Sequence, residues 1–439
     1  MVLAGTQKIN QVGHLEIGGC DAVELAQRFG TPLYVLDEAL IRERCRDYIR
    51  EFGARWPKSF IVFAGKAFMS TALCRIVQQE GLGLDVSSLG ELYTALKANF
   101  PAHRLVVHGN NKSDEEIEAA LQCGAGRIVI DSLSEIAQVQ RQAERLRRTA
   151  EVLLRITPGV DTHSHGSVKT GQLDTKFGIP PMQVAEAVEQ TLTASALRLH
   201  GYHCHIGSQL FLLDHFRVTV EMMTRIAAET REASGFAPQE LNLGGGLGTR
   251  YRWTDQPPSI ADLAEVICPT LTRECEGYGL APPLLMLEPG RSIVGEAGVT
   301  LYRVGVVKEI PGVRTYVAVD GGMSDNPRPA LYGAQYEVII ANKANQEPIW
   351  SVSVAGKHCE ADTLVGQTQV PPVEPGDILA MPSTGAYTYS MASNYNRLGK
   401  AAVVLVLDGQ ADLIVRRQTL EDIVAHDVIP ERLNRRPPA

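Results

Sequence analysis

The stretch FIVFAGK, residues 60–66, is a short apolar run that ends in a glycine and a lysine. Seven further runs of this kind follow it along the chain: LGLDVS (82–87), RLVVHG (104–109), RIVID (127–131), EVLLRIT (151–157), LRLHGYHCHIG (197–207), ELNLGG (240–245) and LLMLEPG (284–290). Short apolar runs bounded by turn residues are typical of strands buried on both faces of a parallel sheet.

The segments between these runs have the spacing of amphipathic helices, with apolar residues every three or four positions. Examples are SEIAQVQRQAERLRR (134–148) and DHFRVTVEMMTRIAAETREA (214–233). Eight strand–helix units over about 250 residues have the number and size of a (β/α)8 barrel, whereas a doubly wound sheet usually has fewer strands. The sequence therefore predicts an α/β fold with a TIM barrel over residues 38–298.

After Gly298 the pattern changes to alternating β-branched residues separated by turns. The runs are VTLYRVGVVKEI (299–310), TYVAVDGG (315–322), WSVSVAG (350–356) and AAVVLVLDG (401–409). They predict a C-terminal, mostly antiparallel β domain. The short run HLEIGG (14–19) is expected to pair with it, so that residues 1–37 and 299–439 form one domain.

Composition favours a small-molecule partner. The 439 residues carry a formal net charge of −8 without blocks of like charge, which argues against nucleic acid or an anionic membrane as the main partner. No apolar stretch reaches the roughly eighteen residues of a membrane span, and the first residues lack the features of a signal peptide. We therefore expect a cytoplasmic protein, whose eight scattered cysteines are reduced thiols.

In such a barrel the active site is built from the C-terminal ends of the strands. Lys66 ends the first run, where apolar walls would lower the pKa of its amine and suit it to Schiff-base chemistry. A lysine that merely reaches solvent is the alternative. Asp85, His108 and His205 end later runs.

Two glycine-containing turns follow the seventh and eighth runs, GGGLG (244–248) and EPGR (288–291). Barrels of this class often bind phosphate at these positions, with backbone N–H groups and an arginine. The spacing is not GxGxxG, so a dinucleotide site is disfavoured. A Schiff-base lysine, a phosphate cradle and the carboxylate of Glu288 together suit pyridoxal phosphate, whose pyridine nitrogen such a carboxylate keeps protonated. His205 could stack on the ring, and a structural salt bridge is the alternative for Glu288.

Histidine pairs raise the possibility of a metal site. HSH (163–165) and HCH (203–205) each place two histidines where, along a strand, they would face the same way. However, HSH lies in a polar segment and no complete ligand set accompanies either pair. We therefore predict no metal, and a hydrogen-bonded interior position for His203.

The chain resembles the diaminopimelate decarboxylases of the fold-type III, alanine-racemase-like family of pyridoxal-phosphate enzymes. The resemblance extends over nearly the whole chain, and its motifs are FAGKA (63–67), LDVSSLGEL (84–92), HGNNKSDEEI (108–117), PGVDTHSHGSVKTGQLDTKFG (158–178), HCHIGSQL (203–210), NLGGGLG (242–248), LEPGRSIVGEAG (287–298), RPALYGA (328–334), KHCEADTL (357–364) and TGAYTYSMASNYN (384–396). Several are shared with ornithine and arginine decarboxylases, but their combination is more specific.

The resemblance implies a role for each matching residue. Lys66 would carry the cofactor, and Cys359 would donate the proton that replaces the lost carboxylate. Residues implied to bind the cofactor are Lys66, Asp85, His205, Ser208, Gly245, Gly246, Glu288, Gly290, Arg291 and Tyr387. Residues implied to bind the substrate are Arg291, Arg328, Tyr332, Glu360 and Tyr387. In this family the Cys-Glu pair comes from the partner subunit, which implies a homodimer with shared active sites.

The implied reaction converts meso-2,6-diaminopimelate to L-lysine and CO2, the last step of lysine biosynthesis. The distal end of this substrate carries an ammonium and a carboxylate, which Glu360 and the pair Arg328 and Arg291 would bind. Alternatives are a same-fold decarboxylase acting on ornithine, arginine, lysine or a D-amino acid, an inactive homologue, and a surface position for Arg328. The segment 361–363 departs from the family pattern, and His358 has no assigned role.

Overall fold

The eight apolar runs fold as the eight strands of a closed parallel barrel in the computed structural model, which describes residues 2–159 and 175–433. In chain order the strands are β1 (Lys8–Ile9), β2 (Leu15–Ile17), β3 (Cys20–Asp21), β4 (Leu33–Asp37), β5 (Ser59–Ala64), β6 (Gly83–Val86), β7 (Leu105–Val107), β8 (Arg127–Ile130), β9 (Ala150–Arg155), β10 (Leu197–His203), β11 (Glu240–Asn242), β12 (Leu284–Leu287), β13 (Gly298–Ile310), β14 (Arg314–Val319), β15 (Ile339–Ile340), β16 (Trp350–Ala355), β17 (Thr363–Val370), β18 (Ile378–Met381), β19 (Ala402–Leu407) and β20 (Gln410–Val415).

The helices alternate with the barrel strands and become few after β13. They are α1 (Ala22–Phe29), α2 (Glu38–Arg55), α3 (Thr71–Gln79), α4 (Leu89–Lys97), α5 (Asp114–Cys123), α6 (Leu133–Leu146), α7 (Val184–Thr193), α8 (Asp214–Ser234), α9 (Ile260–Tyr278), α10 (Arg291–Val294), α11 (Arg328–Tyr332) and α12 (Leu420–Val424). The two helices predicted at 134–148 and 214–233 are α6 and α8.

The chain divides into two compact units. The first contains the residues up to Gln7, Asp37–Val299 and Pro382–Ser390, and the second contains Lys8–Leu36, Thr300–Met381 and the chain from Met391 onward. The segment Pro382–Ser390 therefore belongs with the barrel although it follows most of the second unit in sequence.

In the first unit, strands β5 to β12 pair in sequence order and β12 pairs with β5 to close the barrel. Every pair is parallel. The predicted (β/α)8 barrel is confirmed. Its interior contains a fully buried apolar layer, Val62, Val106, Val129, Leu153 and Met286. Because side chains fill the barrel, a ligand site is expected at the ends of the strands.

Local sequence signals make these strands end where they do. Serines follow three of the strands and cap the next helix: Ser70 accepts a hydrogen bond from Leu73 N, Ser88 from Glu91 N and Ser113 from Glu116 N. A serine in this position satisfies a helix N–H group that would otherwise lack a partner. The residues between strand and cap are thereby held in short turns, and Lys66 lies in one of them, the 3-10 turn Gly65–Ala67.

In the second unit the main sheet has the strand order β17-β16-β14-β13-β4-β19-β20, while β15 and β18 pair with each other and β18 with β13. The pairs of β13 with β14, β16 with β17 and β19 with β20 are antiparallel, whereas β14 and β16 are parallel. The predicted, mostly antiparallel β domain is therefore present.

The prediction that the run HLEIGG pairs with this sheet is wrong. That run forms β2, which pairs with β1 and β3 in a separate three-stranded sheet. The strand that lies between β13 and β19 is β4, and all five of its residues are buried, whereas β2 alternates in burial. A fully apolar run suits a central strand better than an alternating one.

Among the helices of residues 2–159 and 175–433, we find none with the length and apolar character needed to span a bilayer.

Candidate active site

Lys66 lies at the mouth of the barrel, directly after β5. Its side chain reaches solvent at the mouth, although protein atoms surround the amine. Burial by the surrounding protein opposes the charged form, but the acidic groups around the amine, Asp85 first and then Tyr387 and Glu288, outweigh it and raise the pKa of the Lys66 amine. The expectation that apolar walls would lower this pKa is therefore wrong, because the strand ends place acidic groups around the amine.

Tyr387 is brought to the same mouth by the segment Pro382–Ser390. Its N–H donates a 2.8 Å hydrogen bond to the carbonyl oxygen of Ala67. Its φ of 58° lies in the left-handed region, which costs a non-glycine residue on the order of 1 kcal/mol. Strain of this kind persists where the surrounding structure holds a side chain in a required position.

Asp85 is the third of the four residues of β6 and is 2% exposed. Its Oδ1 atom makes no hydrogen bond to any residue that the structure describes. Burial raises the pKa of Asp85 to about 6; His108 opposes the rise, while the carboxylate of Glu288 adds to it. A buried oxygen without a partner is costly, so this atom marks a place where a further polar group is expected.

Glu288 directly follows β12 and is buried in the pocket at the mouth. It accepts hydrogen bonds from His108 Nε2 at 2.8 Å, His203 Nε2 at 3.1 Å and Asn242 Nδ2 at 2.7 Å. Burial favours its neutral form, yet the two histidines hold the pKa of Glu288 well below its usual value. The predicted interior position of His203 is confirmed, and Glu288 is an ionised carboxylate.

The glycines of the turn after β11 let backbone approach closely. A Cβ on Gly245 would lie 2.2 Å from the carbonyl oxygen of Glu288, and Gly246 has a φ of 124°. The N–H of Gly245 donates a 3.3 Å hydrogen bond to Nδ1 of His205. Burial and the nearby Lys66 charge lower the pKa of His205 well below its usual value, so its imidazole is neutral.

Arg291 begins α10 and is buried beside two aromatic rings. Its Nη2 atom donates a 3.0 Å hydrogen bond to Ser208 Oγ, and its Nη1 atom donates to the Tyr251 hydroxyl. The guanidinium carbon lies 4.7 Å from the centre of the Tyr387 ring. A fixed guanidinium beside a serine and glycine N–H groups suits a phosphate.

These side chains line one pocket: Ala64, Lys66, His205, Ser208, Gly245, Gly246, Leu247, Glu288, Gly290, Arg291, Ser292 and Tyr387. The chemistry of the set fits pyridoxal phosphate. It has an amine for the aldehyde, an ionised carboxylate for a ring nitrogen, a neutral imidazole for the ring face and donors for a phosphate.

The metal alternative reappears as a cluster of His108, His203 and Glu288, whose possible ligand atoms lie within 4.8 Å of one another. The same histidine nitrogens are the ones that contact the Glu288 carboxylate at hydrogen-bond distance. These contacts satisfy the carboxylate without an ion. The HSH pair (163–165) lies outside the described residues.

The predicted substrate residues Arg328 and Tyr332 lie in the second unit, on α11. Arg328 is buried, and its guanidinium carbon lies 5.9 Å from the centre of the Tyr332 ring. The alternative that Arg328 is a surface residue is therefore wrong.

Cys359 and Glu360 lie between β16 and β17 of the second unit, and both are exposed. Cys359 is a free thiol whose backbone N–H donates to Asn396 Oδ1 at 3.3 Å. Asp362 holds the turn that contains Cys359 and Glu360, because its Oδ1 accepts a 2.8 Å hydrogen bond from Met323 N. The departure from the family pattern at 361–363 thus contains the carboxylate that fixes the turn.

Sequence reasoning did not assign a cofactor-site role to His108, Asn242 or Tyr251. His108 and Asn242 are polar residues at the ends of apolar runs, which is the signal that could have identified them. Tyr251 lies beyond the glycine turn, and only its contact with Arg291 reveals its place.

A barrel mouth that offers an amine, a phosphate cradle and an ionised carboxylate suits neither a dinucleotide nor a bare metal ion. The class it defines is that of pyridoxal-phosphate-dependent enzymes built on a barrel. In agreement, the family model described as "Pyridoxal-dependent decarboxylase, pyridoxal binding domain" matches residues 38–295.

Relatives narrow the class further. The diaminopimelate decarboxylase of Bacillus subtilis (strain 168) is 48% identical over 431 residues, covering 98% of this chain and 98% of that protein. The crystal structure of diaminopimelate decarboxylase from M. jannaschii matches with a TM-score of 0.91 and 37% identity, covering 98% of this chain and 99% of its own. The chain belongs to the diaminopimelate decarboxylase family of pyridoxal-dependent decarboxylases. A lysine/ornithine decarboxylase of Vibrio vulnificus, at 22% identity and a TM-score of 0.76, shares the fold.

Proposed function

We propose that this protein decarboxylates meso-2,6-diaminopimelate to L-lysine and CO2, the last step of lysine biosynthesis. The observation that carries the proposal is the pocket that joins Lys66, Glu288 and the glycine turn in a chain whose relatives are diaminopimelate decarboxylases over nearly their full length. A relative from M. jannaschii has also been crystallised in complex with L-lysine, the expected product.

Bound pyridoxal phosphate supplies the electron sink that stabilises the charge left on the α-carbon when CO2 departs. With the cofactor bound, we assign the Lys66 amine to hold it through its aldehyde, the Glu288 carboxylate to keep its ring nitrogen protonated, and the neutral His205 imidazole to lie against its ring. Residues assigned to the phosphate and its surroundings are Asp85, Ser208, Gly245, Gly246, Gly290, Arg291 and Tyr387.

For the distal end of the substrate, we assign Glu360 to the ammonium and Arg328, with Arg291 and Tyr332, to the carboxylate. An arginine can bind a carboxylate through two parallel N–H groups. Ornithine carries no distal carboxylate, so the assignment of Arg328 to that group implies a preference for diaminopimelate, in agreement with the relatives of this chain. Holding the remote end orients the scissile bond, which lowers the barrier to its cleavage.

We assign the final proton transfer to the Cys359 thiol, which is exposed and free. By analogy with the family, the Cys359–Glu360 pair would serve the active site of a partner subunit in a homodimer. A cytoplasmic location stays a prediction.

The test measures release of CO2 and formation of L-lysine from meso-diaminopimelate, in parallel with ornithine, lysine, arginine and a D-amino acid. We expect the protein to turn over diaminopimelate only, or to turn it over much faster than any of the other amino acids. A preference for a substrate without a distal carboxylate would refute the assignment. Absence of turnover from a cofactor-loaded preparation would support an inactive homologue.

A further inference from the structure

Three strands contribute one hydrogen-bond donor each to Glu288. His108 follows β7, His203 ends β10 and Asn242 ends β11. Their donor atoms reach the carboxylate at 2.8, 3.1 and 2.7 Å, and all four side chains are buried. The three donors surround one group that the cofactor site requires to be ionised.

The donors are not shared equally between the two carboxylate oxygens. Oε1 accepts from both His108 and Asn242, whereas Oε2 accepts from His203 alone. A carboxylate has about four lone-pair sites, two on each oxygen. Oε1 is therefore saturated, and one site remains on Oε2.

The orientation of two of the three donors, Asn242 and His203, follows from their other contacts. The amide of Asn242 cannot turn round, because its Oδ1 accepts a 2.9 Å hydrogen bond from Gly244 N and so directs Nδ2 to Glu288. His203 Nδ1 makes no hydrogen bond to any described residue, which suits an unprotonated nitrogen and places the ring proton on Nε2. Burial lowers the pKa of His203 to about 3, in agreement with a neutral ring.

We propose that His108, His203 and Asn242 are positioning residues that keep Glu288 ionised and leave a single acceptor site, on Oε2, for the protonated ring nitrogen of pyridoxal phosphate. The proposal rests on the assigned role of Glu288. Loss of one donor makes the carboxylate more basic, so that it competes for the proton of the ring nitrogen. A change of one unit in its pKa shifts that competition about tenfold.

The test uses holoenzyme loaded with cofactor labelled with 15N at the ring nitrogen. The variants are His203→Gln and His108→Gln, which retain an N–H donor, and His203→Leu and His108→Leu, which do not. We expect the 15N shift of the wild type and the Gln variants to report a protonated nitrogen. In the Leu variants it should move toward the neutral form, with kcat reduced about tenfold and KM little changed.

Unchanged 15N shifts in the Leu variants would overturn the proposal, and so would an equal change in Gln and Leu variants, which indicates a merely structural role. Should the Leu variants fail to fold, 15N spectra of labelled histidines in wild-type holoenzyme decide, because either ring protonated on Nδ1 alone contradicts the geometry. Treatment with a chelator is expected to change nothing, and a response would favour a metal at this cluster. A protonated ring nitrogen without turnover of diaminopimelate would refute the substrate assignment and leave this inference standing.

Discussion

The hydroxyl of Tyr395 donates a 2.6 Å hydrogen bond to Oε1 of Glu360. The Tyr395 ring stacks on the buried imidazole of His358, with ring centroids 5.6 Å apart and planes 8° apart. His358 in turn lies beside Asp362, with 2.9 Å between Nδ1 and Oδ2. His358, which sequence reasoning left without a role, thus supports through Tyr395 the carboxylate assigned to the distal ammonium.

The first prediction concerns this contact. Tyr395→Phe removes the hydroxyl but keeps the ring, so Glu360 loses one hydrogen bond worth about 1 kcal/mol and its orientation. We expect KM for diaminopimelate to rise about fivefold, with kcat little changed, as measured by steady-state release of CO2. The matched control is Tyr93→Phe on α4, an exposed tyrosine that should alter neither constant. A fall in kcat at constant KM would contradict the assignment.

The second prediction concerns the lysine of the barrel mouth. Lys66→Ala removes the amine that bonds to the cofactor, so the visible absorbance of bound cofactor should be lost together with turnover. Absorbance and CO2 release are measured on the same sample. Lys58→Ala serves as control, because Lys58 immediately precedes β5 at the opposite end of the strand. Full activity of Lys66→Ala would exclude the proposed Schiff base.

The third prediction concerns the proton donor. Cys359→Ala should bind the cofactor normally, since its thiol lies in the second unit outside the barrel. Turnover should fall by about two orders of magnitude, within the range for loss of a general acid. The control is Cys123→Ala, a partly buried free thiol on α5. If the rate of Cys359→Ala matched that of wild type, another group would have to donate the proton.

The barrel could be predicted from sequence because each strand has a local signal, an apolar run closed by turn residues. Placement of Lys66 and Glu288 at one mouth then followed from topology, since parallel strands present the same ends to the same face. The strand HLEIGG was misassigned because a three-residue alternation carries no information about its partner. The apolar run of β4, whose five residues are all buried, was the stronger indication of a strand in the main sheet.

The remaining features depend on contacts between residues far apart in sequence. His108 and Glu288 are 180 positions apart, and only the closure of β12 on β5 lets their strands share one barrel mouth. The rise in the Lys66 pKa had the opposite sign to the prediction for the same reason. Apolar neighbours in sequence indicated desolvation alone, whereas the acidic groups that outweigh it, Asp85, Tyr387 and Glu288, lie in other segments of the chain.

The fourth prediction concerns the glycine turn. Gly245→Ala would place a Cβ 2.2 Å from the carbonyl oxygen of Glu288, so the backbone must shift and the cradle with it. We expect cofactor affinity to fall by tenfold or more, equivalent to at least about 1.4 kcal/mol, as measured by titrating apoprotein with pyridoxal phosphate. Gly277→Ala on α9 is the control, because its Cβ meets nothing within 4 Å. Alanine there should be neutral or stabilise by up to about 1 kcal/mol. Equal affinities in the two variants would contradict the proposed cradle.

The fifth prediction concerns stability against pH. Burial lowers the pKa of His203 to about 3; Glu288 opposes this shift, while His108 and Arg155 add to it. In the unfolded chain an ordinary histidine titrates near 6.5. Between about pH 6.5 and 3 the unfolded chain therefore binds a proton that the folded protein does not. The contribution of this group to stability is fully present above about pH 6.5 and is lost as the pH falls through that window, by about 1.4 kcal/mol per pH unit.

His203→Gln removes this titration while it keeps a donor for Glu288. We expect the difference in free energy of unfolding between wild type and variant to be constant above about pH 7 and to move in favour of the variant by about 2 kcal/mol between pH 6.5 and 5. Urea unfolding at several pH values measures it, and His426→Gln, which removes an exposed histidine, controls for the loss of a histidine as such. A difference that does not vary with pH would mean that His203 takes up its proton in the folded protein over the same pH range as in the unfolded chain. Its Nδ1 atom, which has no hydrogen-bond partner among the described residues, would then be a donor without an acceptor.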